Sequence, residues 1–87
     1  MTSRQELVEQ VRSVAAEETG IPVEELSPEL DLRTAEGVDS VKVLRVVARI
    51  ERDYDVELSD EQVFAFASVS DVADAVLEAL RTADAAP

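Results

Sequence analysis

The stretch VKVLRVVARIERDY, residues 41–54, is the clearest helix signal in the chain. Its larger apolar side chains recur every three or four residues, which places them on one side of an α-helix. We expect this side to face the core through Val43, Val46, Val47, Ile50 and Tyr54. Asp39 or Ser40 is the expected N-cap, and the segment Asp55–Leu58 is expected to end the helix.

A first helix is predicted near the start of the chain. Ser3 and Glu6 have the spacing of a capping box, in which the two side chains accept hydrogen bonds from each other's backbone N–H groups. Apolar residues recur at helical spacing behind this box, and Gly20 is a natural stop. The helix is therefore expected to run roughly from Ser3 to Thr19.

The segment between the first two predicted helices, residues 20–39, is a long connection. Pro22 and Pro28 oppose a continuous helix there. Its apolar content is nevertheless too high for a solvated linker. Its apolar residues are Ile21, Val23, Leu26, Leu30 and Leu32. We expect the leucines among them to hold the loop across the bundle, with a short helical turn inside it.

Two more helices are predicted after the central one. Ser59 and Gln62 form a second capping box, which opens a short helix carrying Val63, Phe64 and Phe66. A last helix is expected to begin at Ser70. Acidic residues in its first turn suit the helix dipole, namely Asp71 and Asp74.

These patterns predict an all-α fold, because no strand alternation and no internal repeat is present. The architecture is a small four-helix bundle, with three longer helices, one short helix and a long first loop. Residues 1–87 are expected to form a single domain whose tail frays from about residue 82. Aromatic residues are scarce, and we assign them to the core as large fillers: Tyr54, Phe64 and Phe66.

Composition excludes several classes of function. The net charge of −12, from 20 acidic and 8 basic residues, argues against nucleic-acid binding. The chain has no His and no Cys, which removes disulfides, thiolate metal sites and the usual catalytic bases and nucleophiles. We therefore expect no catalytic residues and no metal site. Without a membrane-length apolar run or a signal segment, a cytoplasmic protein is expected.

The residues around the central helix resemble those of an acyl carrier protein. The sequence reads GVDSV at residues 37–41, then an apolar helix ending in IERDYDVEL at residues 50–58, a short helix, and VSDV at residues 69–72. In the family the corresponding pattern is Gly-x-Asp-Ser-Leu, followed by a helix that ends Glu-x-x-Phe-Gly-Ile. The resemblance extends from about Leu7 to Leu80 and includes the acidic balance.

The resemblance implies that Ser40 carries a 4′-phosphopantetheine arm. The arm would come from coenzyme A, transferred by a separate phosphopantetheinyl transferase with magnesium, and its thiol would hold an acyl group as a thioester. Asp39 would orient the serine or assist the transferase's metal ion. Gly37 would give the loop freedom to turn and the transferase room to approach. An arm of this kind would supply the sulfur that the chain itself lacks.

The central helix departs from the family pattern. Val41 replaces the usual Leu, and Arg45 stands where the family usually has Glu. Half of the chain's basic residues share one face of the helix, at spacings of three, four and three: Lys42, Arg45, Arg49 and Arg52. A neighbouring stripe, expected to be exposed, consists of Val41, Leu44 and Ala48.

Two interpretations of the basic face remain open. The cations could pair within the molecule, with Glu51 and Asp53 or with the acidic loop at residues 24–31. Alternatively, the basic face and its apolar neighbours dock dedicated partners and repel enzymes adapted to acidic carriers. Phe64 and Phe66 have a similar ambiguity, between core packing and the lining of an acyl pocket.

The resemblance favours a non-catalytic, monomeric carrier in polyketide or related specialised-metabolite biosynthesis. Its partners would be the transferase and an acyltransferase, ketosynthase or acyl/aminoacyl ligase. An aminoacyl or peptidyl carrier is the near alternative, although peptidyl carriers usually have Gly-Gly-His-Ser at the site. The other alternative is an unmodified acidic adaptor, in which Ser40 only caps a helix.

Overall fold

Four α-helices and one 3₁₀ turn make up the computed structural model, which describes residues 3–34 and 38–85 and contains no strand in those ranges. The helices are α1 (Arg4–Thr19), α2 (Ser40–Tyr54), α3 (Asp60–Ala65) and α4 (Val69–Ala85), and the 3₁₀ turn spans Val23–Glu25. The all-α prediction of three longer helices, one short helix and a long first loop is confirmed.

Ser3 and Gly20 end α1 as predicted, but only half of the predicted capping box forms, since the described residues show no bond from the Ser3 N–H to the Glu6 carboxylate. The Ser3 hydroxyl accepts a hydrogen bond from the Glu6 N–H at 3.2 Å. At the other end Gly20 adopts a φ of 79°, and its N–H donates to the Ala16 carbonyl at 2.9 Å. A left-handed residue is a common helix end, and glycine adopts it without steric cost.

The start of α4 differs from the prediction, because Ser68 rather than Ser70 caps it. The Ser68 hydroxyl accepts from the Asp71 N–H at 3.3 Å, while the Asp71 carboxylate accepts from the Ser68 N–H at 3.1 Å. The third residue after Ser70 is Ala73, which has no side-chain acceptor to complete such a pair. The helix itself continues to Ala85, past the position near 82 where fraying is expected.

The core is aliphatic and centres on α1, which packs along both α4 and α2. The bulkiest completely buried side chains come from all three long helices and the first loop: Leu7, Val11, Val14, Leu26, Ile50, Val69 and Val76. None of the described helices combines the length and apolar character that a membrane crossing requires.

The prediction that Phe64 fills the core was wrong, since its side chain is 82% exposed. Helix α3 has only six residues and can turn only one side toward the bundle. Val63 occupies that side and packs against the core, as Tyr54 does from the end of α2. Phe64 is therefore left facing outward. Phe66, predicted to lie on the short helix, instead follows its end and also packs against the core.

The long first loop is held to the bundle as predicted. Leu26 and Leu32 are buried in the core. Arg12 of α1 donates from Nε to the Leu26 carbonyl and from Nη2 to the Val23 carbonyl, both at 2.7 Å. The Leu32 N–H donates to the Ala67 carbonyl at 2.7 Å, which ties the loop to the start of α4. These bonds fix the loop that leads toward α2.

Candidate functional site

The site begins at the N-terminus of α2, where Asp39 is the cap. Asp39 has an extended backbone, and its Oδ1 accepts from the Lys42 N–H at 2.9 Å. Its carbonyl accepts from the Val43 N–H at 3.2 Å. Of the two caps that the sequence allows, the structure selects Asp39, and Ser40 becomes the first helical residue.

The Ser40 side chain is exposed and engaged in no hydrogen bond with any part of the chain that the structure describes. The N–H groups of the first helical turn have no intrahelical acceptors, and Asp39 satisfies only that of Lys42. Those of Ser40 and Val41 remain available beside the hydroxyl. No acidic residue lies in this first turn, so the positive end of the helix dipole favours an anionic group there.

An apolar pocket of about 280 Å³ opens directly beside Ser40. Its walls come from the loop, from α2 and from α3 with the residue that follows it: Leu32, Val38, Val43, Leu44, Val63, Phe64 and Phe66. Polar groups line it as well, on Arg33, Asp39 and Ser40. The two phenylalanines thus line a pocket, and a short apolar chain tethered near Ser40 would find an apolar surface within reach.

Comparison with known proteins assigns this arrangement to a family. Residues 9–76 match the family described as "Phosphopantetheine attachment site". An acyl carrier protein of Saccharopolyspora erythraea is 33% identical over 86 residues, which cover 95% of this chain and 90% of the relative. The chain belongs to the acyl carrier protein family.

An acyl carrier protein is a non-catalytic protein that bears a covalent 4′-phosphopantetheine group. It interacts with a phosphopantetheinyl transferase and with biosynthetic enzymes. The residues present here fit that group. An exposed hydroxyl on Ser40 lies beside helix N-terminal donors suited to a phosphodiester. Gly37, which the resemblance also implicates, lies outside the described residues.

The outer face of α2, formed by Val41, Leu44 and Ala48 with the neighbouring arginines, continues along the helix from Ser40. The prediction that its apolar stripe is exposed is confirmed, because Val41 is 54% exposed, Leu44 is 49% exposed and Ala48 is also exposed. The inner face carries the buried residues Val46, Val47 and Ile50. Helix α2 therefore contributes to the core with its inner face and exposes apolar side chains on its outer face.

Arg49 makes the internal ion pairs that one interpretation of the basic face predicted, but with other partners. Its guanidinium donates to Glu18 at 3.0 Å and to Glu17 at 3.1 Å, both on α1. Glu51 and Asp53 of the same helix and the loop acids at residues 24–31 make no such bond to Arg49. The hydrogen bond that Arg49 donates to Glu18, more than the one it donates to Glu17, raises the pKa of Arg49 above its ordinary value.

Arg45 and Arg52 differ from Arg49, because both are exposed and neither makes an ion pair with any residue that the structure describes. Lys42 is half-buried and has contacts of its own. The basic face is thus divided: one arginine joins α2 to α1, and two arginines face solvent on the carrier's α2.

Sequence reasoning missed the contribution of the first loop to the pocket. Leu32 and Val38 line it, and Arg33 lies on it with its guanidinium bound to Asp31 through two hydrogen bonds of 3.0 Å. These bonds from the Arg33 side chain, followed by the one from its backbone N–H, lower the pKa of Asp31. The apolar character of Leu32 and Val38 is the available signal, but the sequence pattern predicts only that Leu32 anchors the loop.

Proposed function

We propose that Ser40 is the attachment residue for 4′-phosphopantetheine and that the protein carries acyl groups as thioesters. The observation that carries the proposal is that Asp39, and not Ser40, caps α2. The Ser40 hydroxyl is therefore exposed and makes no hydrogen bond with the described residues. The adaptor alternative requires Ser40 to be the cap. Asp39 fills that position instead, so the carrier function is favoured.

The chain's own residues have distinct tasks in this function. The first-turn N–H groups and the dipole of α2 stabilise a phosphodiester on Ser40. Asp39 holds the helix start in place and, by its position, presents a carboxylate next to the hydroxyl. Gly37, by the family resemblance alone, would give the transferase room to approach. When bound, the arm supplies the thiol that forms the thioester with the cargo.

We further propose acyl cargo within polyketide or related specialised-metabolite biosynthesis. The apolar pocket beside Ser40 supports an acyl group over a charged aminoacyl group. The partners would be an acyltransferase, a ketosynthase or an acyl/aminoacyl ligase, acting on a monomeric carrier in the cytoplasm. Arginines on α2, where the family usually has acids, support a dedicated pathway over general fatty-acid synthesis.

Docking is assigned to the outer face of α2. Val41, Leu44 and Ala48 provide its apolar part, and Arg45 and Arg52 provide solvent-facing charge. The two remaining cations border this face: Lys42 near the attachment site and Arg49 at the junction with α1.

Intact-mass measurement tests the attachment residue. The protein is incubated with coenzyme A, magnesium and a broad-specificity phosphopantetheinyl transferase. Wild type should gain one phosphopantetheine group, Ser40→Ala should gain none, and Ser13→Ala, which removes another exposed serine, should gain one. A folded Ser40→Ala that still takes up the group would place the attachment elsewhere. Loading the holo protein from acyl and aminoacyl donors in turn then separates the two cargo classes.

A further inference from the structure

We propose that the enzymes acting on the loaded arm bind this protein through an apolar surface rimmed with carboxylates. The apolar part would cover Leu44 and Phe64, and the carboxylates would face Arg45 and Arg52. This inference rests on the proposed carrier function and adds the chemistry of the partner.

The apolar half of the surface is assembled from two helices around the attachment site. Leu44 of α2 and Phe64 of α3 line the same pocket as Ser40, so both lie around the attachment site. Phe64 is 82% exposed, Val41 54% and Leu44 49%, and no other large apolar residue in the described ranges matches these values. Large exposed aromatic and aliphatic side chains beside a reactive position are the usual anchors of a protein interface.

The basic half follows from the periodicity of α2. Val41, Arg45, Ala48 and Arg52 are spaced by four, three and four residues, which aligns them in one straight stripe along the helix. We call these four residues the outer stripe. Arg45 and Arg52 are two turns apart, about 10 Å along the axis. Since neither makes an ion pair in the described part of the chain, both guanidiniums are available to an incoming surface.

Charge complementarity with Arg45 and Arg52 favours a partner enzyme that has carboxylates at its docking surface. A partner with basic residues at the same positions would place like charges against Arg45 and Arg52 in a partly desolvated interface, which disfavours binding. A partner with carboxylates spaced to match would form two new ion pairs. Bidentate geometry makes arginine well suited to such pairing.

The net charge of −12 opposes an acidic partner at long range, but screening limits that opposition. At physiological ionic strength the Debye length is about 8 Å, so charges on the far side of the molecule contribute little to a docked complex. Glu17 and Glu18 of α1 are paired with Arg49. Both charged residues of the outer stripe itself are arginines, so the stripe presents positive charge where contact occurs.

Charge reversal on the stripe tests the proposal. The probe is an acyltransferase or acyl ligase selected because it loads the wild-type holo protein. Arg45→Glu/Arg52→Glu should raise its KM by about tenfold or more at low salt, with kcat nearly unchanged, and added salt should shrink the difference. Arg81→Glu, which reverses an exposed arginine on α4, should stay within about twofold.

Two binding measurements accompany the kinetics. Hydrogen exchange with the probe enzyme bound should protect residues 41–52 and α3 in wild type and not in the double variant. Phe64→Ala should weaken binding by about tenfold without loss of fold, because its side chain is mostly exposed. Circular dichroism and thermal unfolding verify that each variant is folded.

The outcomes separate this proposal from the carrier function. Turnover that is unchanged or faster in the double variant would overturn the acidic partner and point to neutral or basic docking. Failure of Ser40 to accept phosphopantetheine would overturn the carrier function itself. If sedimentation shows wild type dimerising and the double variant monomeric, the stripe binds a second copy of this chain, and the proposal is again overturned.

Discussion

The inner and outer faces of α2 contain similar aliphatic residues and have different surroundings. Val46, Val47 and Ile50 on the inner face are almost completely buried, whereas Val41 and Leu44 on the outer face are about half exposed. Angular position around the helix, rather than residue type, decides which aliphatic side chains stabilise the fold. The outer face is therefore available for recognition without loss of the core.

The largest expected difference between the faces is in stability. Ile50→Ala removes a completely buried side chain and should lower the free energy of unfolding by about 2–5 kcal/mol. Leu44→Ala, on the outer face, should cost about 1 kcal/mol or less. Urea unfolding of the two variants measures both values. Equal losses would show that the outer face contributes to the core.

A second comparison concerns the adjacent residues at the start of α2. Asp39→Ala removes the cap and should cost about 0.5–2 kcal/mol of unfolding free energy. Ser40→Ala leaves the cap in place, and its effect should be within about 0.5 kcal/mol. The same urea experiment distinguishes them. A large loss for Ser40→Ala would mean that its hydroxyl supports the helix after all.

The two types of arginine on α2 should respond differently to salt. Arg49→Ala breaks the pairs with Glu17 and Glu18 and should lower the urea midpoint slightly at low salt. Arg45→Ala breaks no ion pair with the described residues and should leave the midpoint unchanged. The difference should fade toward about 1 M NaCl, where exposed charges are screened. A persistent difference would indicate packing rather than charge.

The smallest effect is expected at the rim of the pocket, where Arg33 lowers the pKa of Asp31 below its ordinary value of 3.8. In the folded state Asp31 then binds fewer protons than in the unfolded state at acidic pH. Its contribution to stability is present above about pH 4 and is lost as pH falls through the lowered pKa. Arg33→Gln should return the Asp31 pKa toward 3.8 in a carboxyl NMR titration. Arg81→Gln is the control, and an unmoved pKa in Arg33→Gln would exclude Arg33 as the cause.

Most features that depend on neighbouring residues were predictable from the sequence, although the Ser68 cap of α4 was not. The ends of α1, the capping box of α3 and the two faces of α2 all follow from spacings of three or four residues. Ser40 could be singled out for the same reason, because the motif around it is contiguous. The choice between Asp39 and Ser40 as the cap could not be made, since both residue types cap helices well.

Features that depend on tertiary packing were not predictable. The acids that pair with Arg49 lie 31 and 32 residues earlier in the chain, and only the packing of α1 against α2 brings them close. Aromatic residues usually lie in the core, but a six-residue helix has one inner side, which Val63 occupies, and Phe64 faces outward. The pocket likewise needs the loop and α3 to meet.

The exposed Phe64 makes the acidic surface of the protein important for its colloidal behaviour. At pH 7 each copy has a net charge of −12, so copies repel one another before their apolar patches can meet. Near the isoelectric point of about 4.1 this repulsion vanishes while the patch remains. The abundance of acids thus opposes self-association through the exposed phenylalanine at neutral pH.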